Sequence, residues 1–254
     1  MKVLVACEYS GRVRDAFTAR GHDAISCDLL PSDSPGKHYQ GNVLDIINEG
    51  FDLMVAHPPC TYLSVSGMHW TTRGLRDPQL TEDALDFVRV LMGSTIPKMC
   101  IENPISVISS RIRQPDQIIH PWMFGHDASK KTCLWLKNLP NLVPDRNKVV
   151  PPAGWGKVRE AHECIDTSGG PWCPEHDKYY SECDCIGSKE EGVILKANSG
   201  VMFGTREYPA PKQLWSNQTP TGQNNLGPSA DRWKIRSTTY IGIADAMASQ
   251  WGLK

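Results

Sequence analysis

The chain has almost no excess of charge. Its 27 lysines and arginines stand against 28 aspartates and glutamates, a formal net charge of −1 at pH 7. Bulk electrostatics therefore gives no reason to bind a polyanion, and any such site must come from local clustering. Nowhere do about 18 apolar residues run together, so a membrane span is not expected. The opening "MKVLVACEYSG" is apolar only briefly and lacks the length and small-residue cleavage pattern of a secretory signal. A soluble cytoplasmic protein, without a membrane partner and monomeric, is the expectation. Nine cysteines is an odd number, which without a secretory signal argues against a disulfide framework. Internal repeats and long low-complexity tracts are also lacking.

What the chain does have is the length for one large α/β domain, or one domain with a small insert. "KVLVA" (2–6) predicts a strand and "RVRDAFTARG" (12–21) a helix closed by Gly21. "DAISCD" (23–28), "GNVLDI" (41–46), "FDLMVA" (51–56) and "PKMCIENP" (97–104) predict further strands. "TEDALDFVRVLMG" (81–93) predicts a helix with a threonine cap, acids in its first turn and a closing glycine. This alternation predicts a parallel, Rossmann-like sheet with right-handed crossovers. Ligands of such sheets sit at the carboxyl ends of the strands. Here those ends carry Glu8, Asp28, Asp45, Cys60 and Glu102.

After residue 139 the rhythm is lost. Residues 140–227 read as a loop-rich insert, and the catalytic part resumes at 228–254 with the apolar helix "YIGIADAMASQWG" (240–252). Within the insert, "HECIDTSGGPWCPEHDKYYSECDC" (162–185) crowds thiols and imidazoles together. Cys173, His176, Cys183 and Cys185 would supply four soft ligands to a structural zinc, with Cys164 or His162 able to replace one. A coreless insert gains from such an ion because binding energy becomes folding energy. Reduced, unligated thiols are the plain alternative.

The stretch "FDLMVAHPPCTYLSVSG" (51–67) asks for chemistry. An apolar strand runs into His57, two prolines and Cys60. The prolines fix the backbone so that the thiol points one way. His57 itself reads as a loop hydrogen-bonder rather than a base.

The order of these motifs resembles that of DNA cytosine-5 methyltransferases, especially the small divergent members carried by phages. Pro59 and Cys60 match the family's Pro-Cys nucleophile after the fourth strand; Glu102 and Asn103 match its Glu-Asn pair after the fifth. The resemblance covers roughly residues 1–139 and 228–252. It implies S-adenosylmethionine as cofactor, with Asp28 on the ribose hydroxyls, Asp45 at the adenine, and Glu8, Tyr9, Ser10, Gly11 and Pro58 beside it. It implies DNA as partner, with Pro59, Asn103, Lys130, Lys131, Arg111 and Arg113 at the substrate, and a bacterial or phage-infected cell as the setting of a restriction-modification type of activity. Three motifs depart from the family: "CEYSGRV" keeps only Gly11 of its glycine-rich motif, "SKKTCLWL" offers Lys130 and Lys131 where the family has arginines, and Gly242 is followed by Ile243 rather than asparagine. Arg73 and Arg76 extend the same basic series.

The chemistry explains the pairing of thiol and acid. C5 of cytosine is a poor nucleophile; a thiolate added to C6 makes an enamine whose C5 can take a methyl group. Density then builds at N3, where Glu102 can give a proton or hydrogen bond. The site is expected to lower the thiol pKa, and the target base is expected to be flipped out of the duplex. Three rival readings stand beside this one: C5 one-carbon modification of a free pyrimidine nucleotide, an N4/N6 amino methyltransferase, and an inactive zinc-supported DNA-binding or decoy protein. "HPPC" lacks the Asp, Asn or Ser before Pro-Pro and the aromatic after it that amino methyltransferases use.

Overall fold

The computed structural model describes residues 1–144, 148–150, 215–219 and 224–253, together with the backbone of five short strands between 172 and 208. The chain divides into two compact units. One comprises Met1–Ile119, Lys130–Val143 and Lys234–Lys254; the other comprises His120–Ser129 and Pro144–Trp233.

The first unit is built on a seven-stranded sheet of order β3-β2-β1-β4-β5-β7-β6. Its strands are β1 (Lys2–Ala6), β2 (Asp23–Asp28), β3 (His38–Gln40), β4 (Leu53–Ala56), β5 (Lys98–Pro104), β6 (Gln117–Ile119) and β7 (Thr132–Lys137). The strands β1 to β5 pair in parallel, while β7 runs antiparallel to both β5 and β6. The sheet is thus mixed rather than wholly parallel as expected: the reversed strand β7 is inserted between β5 and the edge strand β6.

The run Val3–Ala6 of β1 and the whole of β4 are apolar at every position because helices cover both faces. Val3, Leu4, Val5 and Ala6 of β1 and all four residues of β4 are fully buried. Leu4, Ala6, Met54, Ala56, Met99, Ile101 and Trp135 share one core with Leu85, Val88 and Leu91 of helix α3 (Gln79–Met92). On α3 these three fall at spacings of three, the stripe a 3.6-residue period presents to one neighbour. Helix α1 (Arg12–Thr18) buries Val13 and Phe17 and packs against the C-terminal helix α6 (Ile241–Trp251). The shorter helices are α2 (Val65–Thr72), α4 (Ile108–Arg111) and α5 (Arg232–Ser237).

Two local expectations are corrected. The strand expected at 41–46 is a 3₁₀ turn over Val43–Asp45, and β3 lies just before it. Asn42 makes the difference: its Oδ1 accepts from Leu44 N–H at 3.0 Å, and a side chain capping its own backbone ends a strand. Helix α3 begins at Gln79 rather than behind a Thr81 cap, since Asp77 Oδ1 takes Gln79 N–H at 2.9 Å and Pro78 stands at the entry. Thr81 is buried inside the helix and donates its hydroxyl to Tyr62 O at 3.2 Å.

In the second unit, Trp122 and Trp215 are buried and stack with ring centroids 5.5 Å apart. Its short strands form a hairpin, β8 (Trp172–Cys173) with β9 (Lys178–Tyr179), and an antiparallel meander of β10 (Val193–Lys196), β11 (Gly200–Phe203) and β12 (Arg206–Tyr208). The zinc expectation lies outside the described residues: of Cys173 only the backbone is described, and His162, Cys164, His176, Cys183 and Cys185 are not. Among the described residues no group of three or more potential ligands gathers around a point, and no helix is long and apolar enough to cross a membrane.

Candidate active site

The strand order reverses between β1 and β4, which lie side by side while the chain departs from them in opposite directions. Crevices open at the carboxyl ends of strands on either side of such a point. The loop after β1 carries Cys7 to Gly11, and the loop after β4 carries His57 to Cys60.

Within the β1 loop, Cys7 has φ of 58°, a left-handed conformation unusual for a residue with a Cβ. The carboxylate of Glu8 is buried and accepts from Val13 N–H at 2.7 Å and Arg14 N–H at 3.2 Å. It therefore caps α1 and satisfies two of the helix's free donors. Gly11 is left-handed at φ 73°, and a Cβ there would fall on the Arg14 guanidinium. Ser10 Oγ donates to Glu8 Oε1 at 3.3 Å. Tyr9 is buried, its hydroxyl donating to Lys234 O at 3.1 Å beside Ser237 Oγ. A cavity of about 50 Å³ is lined by Cys7, Glu8, Tyr9, Ser10, His57, Ser237, Thr238 and Thr239. That is room for a few water molecules.

The β4 loop is held from several sides. His57 N–H continues the ladder to Ala6 O at 2.9 Å. Pro58 is buried and Pro59 exposed. Cys60 O accepts from Leu63 N–H at 3.1 Å and Ser64 N–H at 2.8 Å, which winds the chain into α2. Arg76 Nη1 donates to Thr61 O at 3.0 Å and lies over the Tyr62 ring. This loop is stitched to the one after β5: Val65 N–H donates to Ile105 O at 3.2 Å and Val107 N–H to Leu63 O at 2.9 Å. Asn103 Nδ2 adds a bond to Pro58 O at 2.8 Å.

Glu102 sits within β5 one residue past the last pair with β4, Ala56 with Ile101, and opposite Leu134 of β7. Its Oε2 lies 2.7 Å from His57 Nδ1, with both side chains only 10% exposed. Burial alone would raise the Glu102 pKa, but the His57 hydrogen bond and the Lys130 charge outweigh it and hold the carboxyl below its usual range. Burial alone would lower the His57 pKa, but the bond to Glu102, its charge and that of Glu8 lift the imidazole above its ordinary value.

The Cys60 thiol is half-buried and free of any disulfide. It corrects the expectation of a lowered pKa. Burial, helped by the Glu102 charge, raises it against the opposing pull of Lys130 and Arg236. Lys130 and Arg236 are the groups that draw the thiol toward ionisation.

The two expected lysines part company. Lys130 is half-buried, bears electrostatically on both Cys60 and Glu102, and donates to Arg236 O at 2.9 Å. Lys131 is exposed, the opposite side of an extended chain entering β7. Arg111 makes a two-oxygen ion pair with Glu82 at 2.8 and 3.0 Å, and Arg113 pairs with Asp116 at 2.8 Å. Asp28 closes β2 with Oδ1 accepting from Leu30 N–H at 2.9 Å. Asp45 is exposed and accepts from the Tyr39 hydroxyl at 3.1 Å. Four participants were not singled out as site residues from the sequence: His57 as the partner of Glu102, Cys7 in the cavity wall, Arg236 beside the thiol, and the Ser237–Thr239 hydroxyls. His57 directly before Pro-Pro-Cys was the available signal; nothing local marked the others, which arrive from the far C-terminal part of the chain or through backbone conformation.

This constellation offers a held thiol, a buried carboxyl hydrogen-bonded to an imidazole, and a lysine that favours negative charge on both thiol and carboxyl. Those are the parts of nucleophilic addition to an electron-poor ring followed by proton donation to it. No protein-family model matches the chain, and no curated protein matches it.

Proposed function

We propose that the chain is a DNA cytosine-5 methyltransferase. The observation that carries this reading is the joining of the Cys60 loop to the Glu102 strand: adjacent strands β4 and β5, loops bonded to each other, and a carboxyl close enough to the thiol to act on it electrostatically.

Cys60 would add as thiolate to C6 of the ring, with Lys130 offsetting the charge of the sulfur as it forms. Glu102 would stand at N3, giving a proton as density arrives there. Asn103 would hold the nucleophile loop in register through Pro58 O. Pro59, exposed beside the thiol, and the exposed Lys131 are available to nucleic acid, whereas Arg111 and Arg113 would reach phosphate only by giving up their carboxylate partners.

The residues present fit S-adenosylmethionine in part. Asp28 Oδ2 at the end of β2 is available to ribose hydroxyls, Asp45 would face the adenine, and the buried His57 Nε2, which has no partner, leaves a polar position at the cavity wall. Glu8, with both oxygens in the α1 cap, would shape the wall with Tyr9, Ser10, Gly11 and Pro58 rather than bind. When bound, the cofactor supplies an electrophilic methyl group. Zinc on Cys173, His176, Cys183 and Cys185 would remain a structural support.

The test is covalent trapping. With S-adenosylmethionine, duplex DNA containing 5-fluorocytosine should form an adduct that survives denaturation, and Cys60→Ala should abolish it. Trapping of a fluorinated free nucleotide but not DNA would move the reading to nucleotide modification. No adduct with either would end it.

A further inference from the structure

We propose that His57 is the positioning residue of Glu102 and stores the proton that Glu102 lends to the pyrimidine; this rests on the cytosine reading above. Three features of the contact lead there. The first is its closeness: Nδ1 to Oε2 is 2.7 Å, the short end of the range of a charge-assisted bond, in a pair nine-tenths buried. The second is rigidity. His57 N–H is fixed to Ala6 O, and the following proline restricts His57 to extended backbone, so the ring has little freedom to leave the carboxyl. The third is the orphaned Nε2, buried with no hydrogen-bond partner at the edge of the β1 cavity. A buried imidazolium with one unsatisfied N–H is a costly holder of charge. It holds its proton because Glu102 and, behind it, Glu8 face it with negative charge, while Lys130 opposes.

The step balances as follows. The Cys60 thiol gives its proton to solvent, the sulfur bonds to C6, the C5=C6 electron pair becomes a C4=C5 bond, and the C4=N3 pair moves onto N3. As that charge forms, the Nδ1 proton passes to Glu102 Oε2, and a half-turn of the carboxyl presents it to N3. His57 is then neutral, which relieves the charge on its unpartnered edge. At the end of the reaction C5 gives its proton to solvent water, C5=C6 re-forms as the thiolate leaves, the N3 proton returns by the same route, and the imidazolium and carboxylate are restored. No proton is gained or lost by the pair over the cycle. Lys130 acts on both Cys60 and Glu102 through its charge, while donating to Arg236 O.

Two measurements on the full chain decide it. Carbon-13 labelling of histidine Cε1 follows the imidazole titrations by NMR, with His57 assigned by its loss in His57→Asn. The His57 midpoint should lie above the ordinary value of about 6.5 and should drop in Glu102→Gln. Adduct formation on 5-fluorocytosine DNA is then timed across pH. His57→Ala should slow it by about 100-fold or more, the scale of a lost acid–base partner. His57→Asn keeps a donor toward Oε2 but cannot titrate. It should recover to within about tenfold of the unmutated rate and should lose the alkaline fall that deprotonation of His57 imposes. A His57→Ala protein with the unmutated rate and pH profile overturns the proposal, as does a His57 midpoint indifferent to Glu102→Gln. An unmutated protein that forms no adduct gives a different pattern, silence in every variant, and overturns the cytosine reading itself.

Discussion

The side-chain amide of Asn103 donates to the carbonyl of Pro58 across 2.8 Å, and the rest of its amide, Oδ1, is buried without a partner. Pro59 has no N–H, so the loop at this point cannot tie itself down through its own backbone. Asn103 does so from the neighbouring strand. The bond is therefore a clamp on the approach to Cys60.

Asn103→Ala should free that carbonyl in a buried place. A buried acceptor left unmade costs about 1–3 kcal/mol, measurable by chemical denaturation. Alkylation of Cys60 by iodoacetamide should become several-fold faster, because the loop that half-covers the thiol would open more often. A destabilised variant with unchanged Cys60 alkylation would show that Asn103 supports the fold without governing the loop.

The Cys60 thiol itself should react as a raised-pKa group in the protein without ligand. Burial is the main cause, with Lys130 pulling down and Glu102 pushing up. Alkylation should accordingly rise only above the ordinary thiol range, about pH 8.5. Lys130→Met should shift the profile further alkaline, and Glu102→Gln should shift it toward neutrality. Cys60→Ala, replacing a half-buried side chain, should change stability by less than about 1 kcal/mol, which separates loss of reactivity from loss of fold. Shifts in the reverse sense for Lys130 and Glu102 variants would count against the electrostatic coupling on which the site depends.

Stability should carry the mark of the His57–Glu102 pair. The folded His57 pKa lies above its ordinary value, so its contribution is complete below about pH 6.5 and lost as pH rises through the folded value. The folded Glu102 pKa lies below its ordinary value, so its contribution is present above about pH 4.3 and lost as pH falls through the folded value. Both are present between about pH 4.3 and 6.5. The difference in melting temperature between the unmutated protein and His57→Asn should be largest there and shrink toward pH 9. A difference that stays flat across that range would mean the pair is not charged in the folded protein.

Much of the sheet could be read before any coordinates. β1 and β2 fall on "KVLVA" and "DAISCD" because apolar β-branched runs between turn residues leave little choice. The α6 helix follows its spacing just as closely. Where the reading slipped, a side chain decided against the pattern: Asn42 capping its own turn, Asp77 starting α3 early. The antiparallel β7 was invisible because strand direction depends on the route taken after β5, which no local pattern records. For the site, Cys60 and Glu102 were visible as motif residues. Their link through His57 was not, since it joins side chains 45 residues apart. Lys130 and Lys131 looked alike in sequence, and only the turn of the chain into β7 separates them.

The loop that leaves Asp28 depends on one buried cation. Arg14 is 1% exposed and donates to five acceptors: Asp15 Oδ1 at 2.8 Å, Ser26 Oγ and Ser32 Oγ at 3.1 Å, Ser34 O at 3.1 Å and Pro35 O at 2.9 Å. Lysine has three donors at one point and cannot span these positions. Arg14→Lys should therefore cost about 2–4 kcal/mol, the sum of one or two buried acceptors left unmade, and should loosen the segment from Leu29 to Lys37. Gly11→Ala attacks the same guanidinium from the other side, by adding a Cβ where Nη2 lies and by straining a left-handed residue. Because both changes spoil one set of bonds, their effects should not add. The double variant should be less destabilised than the two single losses together, by about 1 kcal/mol or more. Strict additivity in denaturation midpoints and slopes would show that Gly11 is required for its backbone angle alone and that the guanidinium tolerates its neighbour.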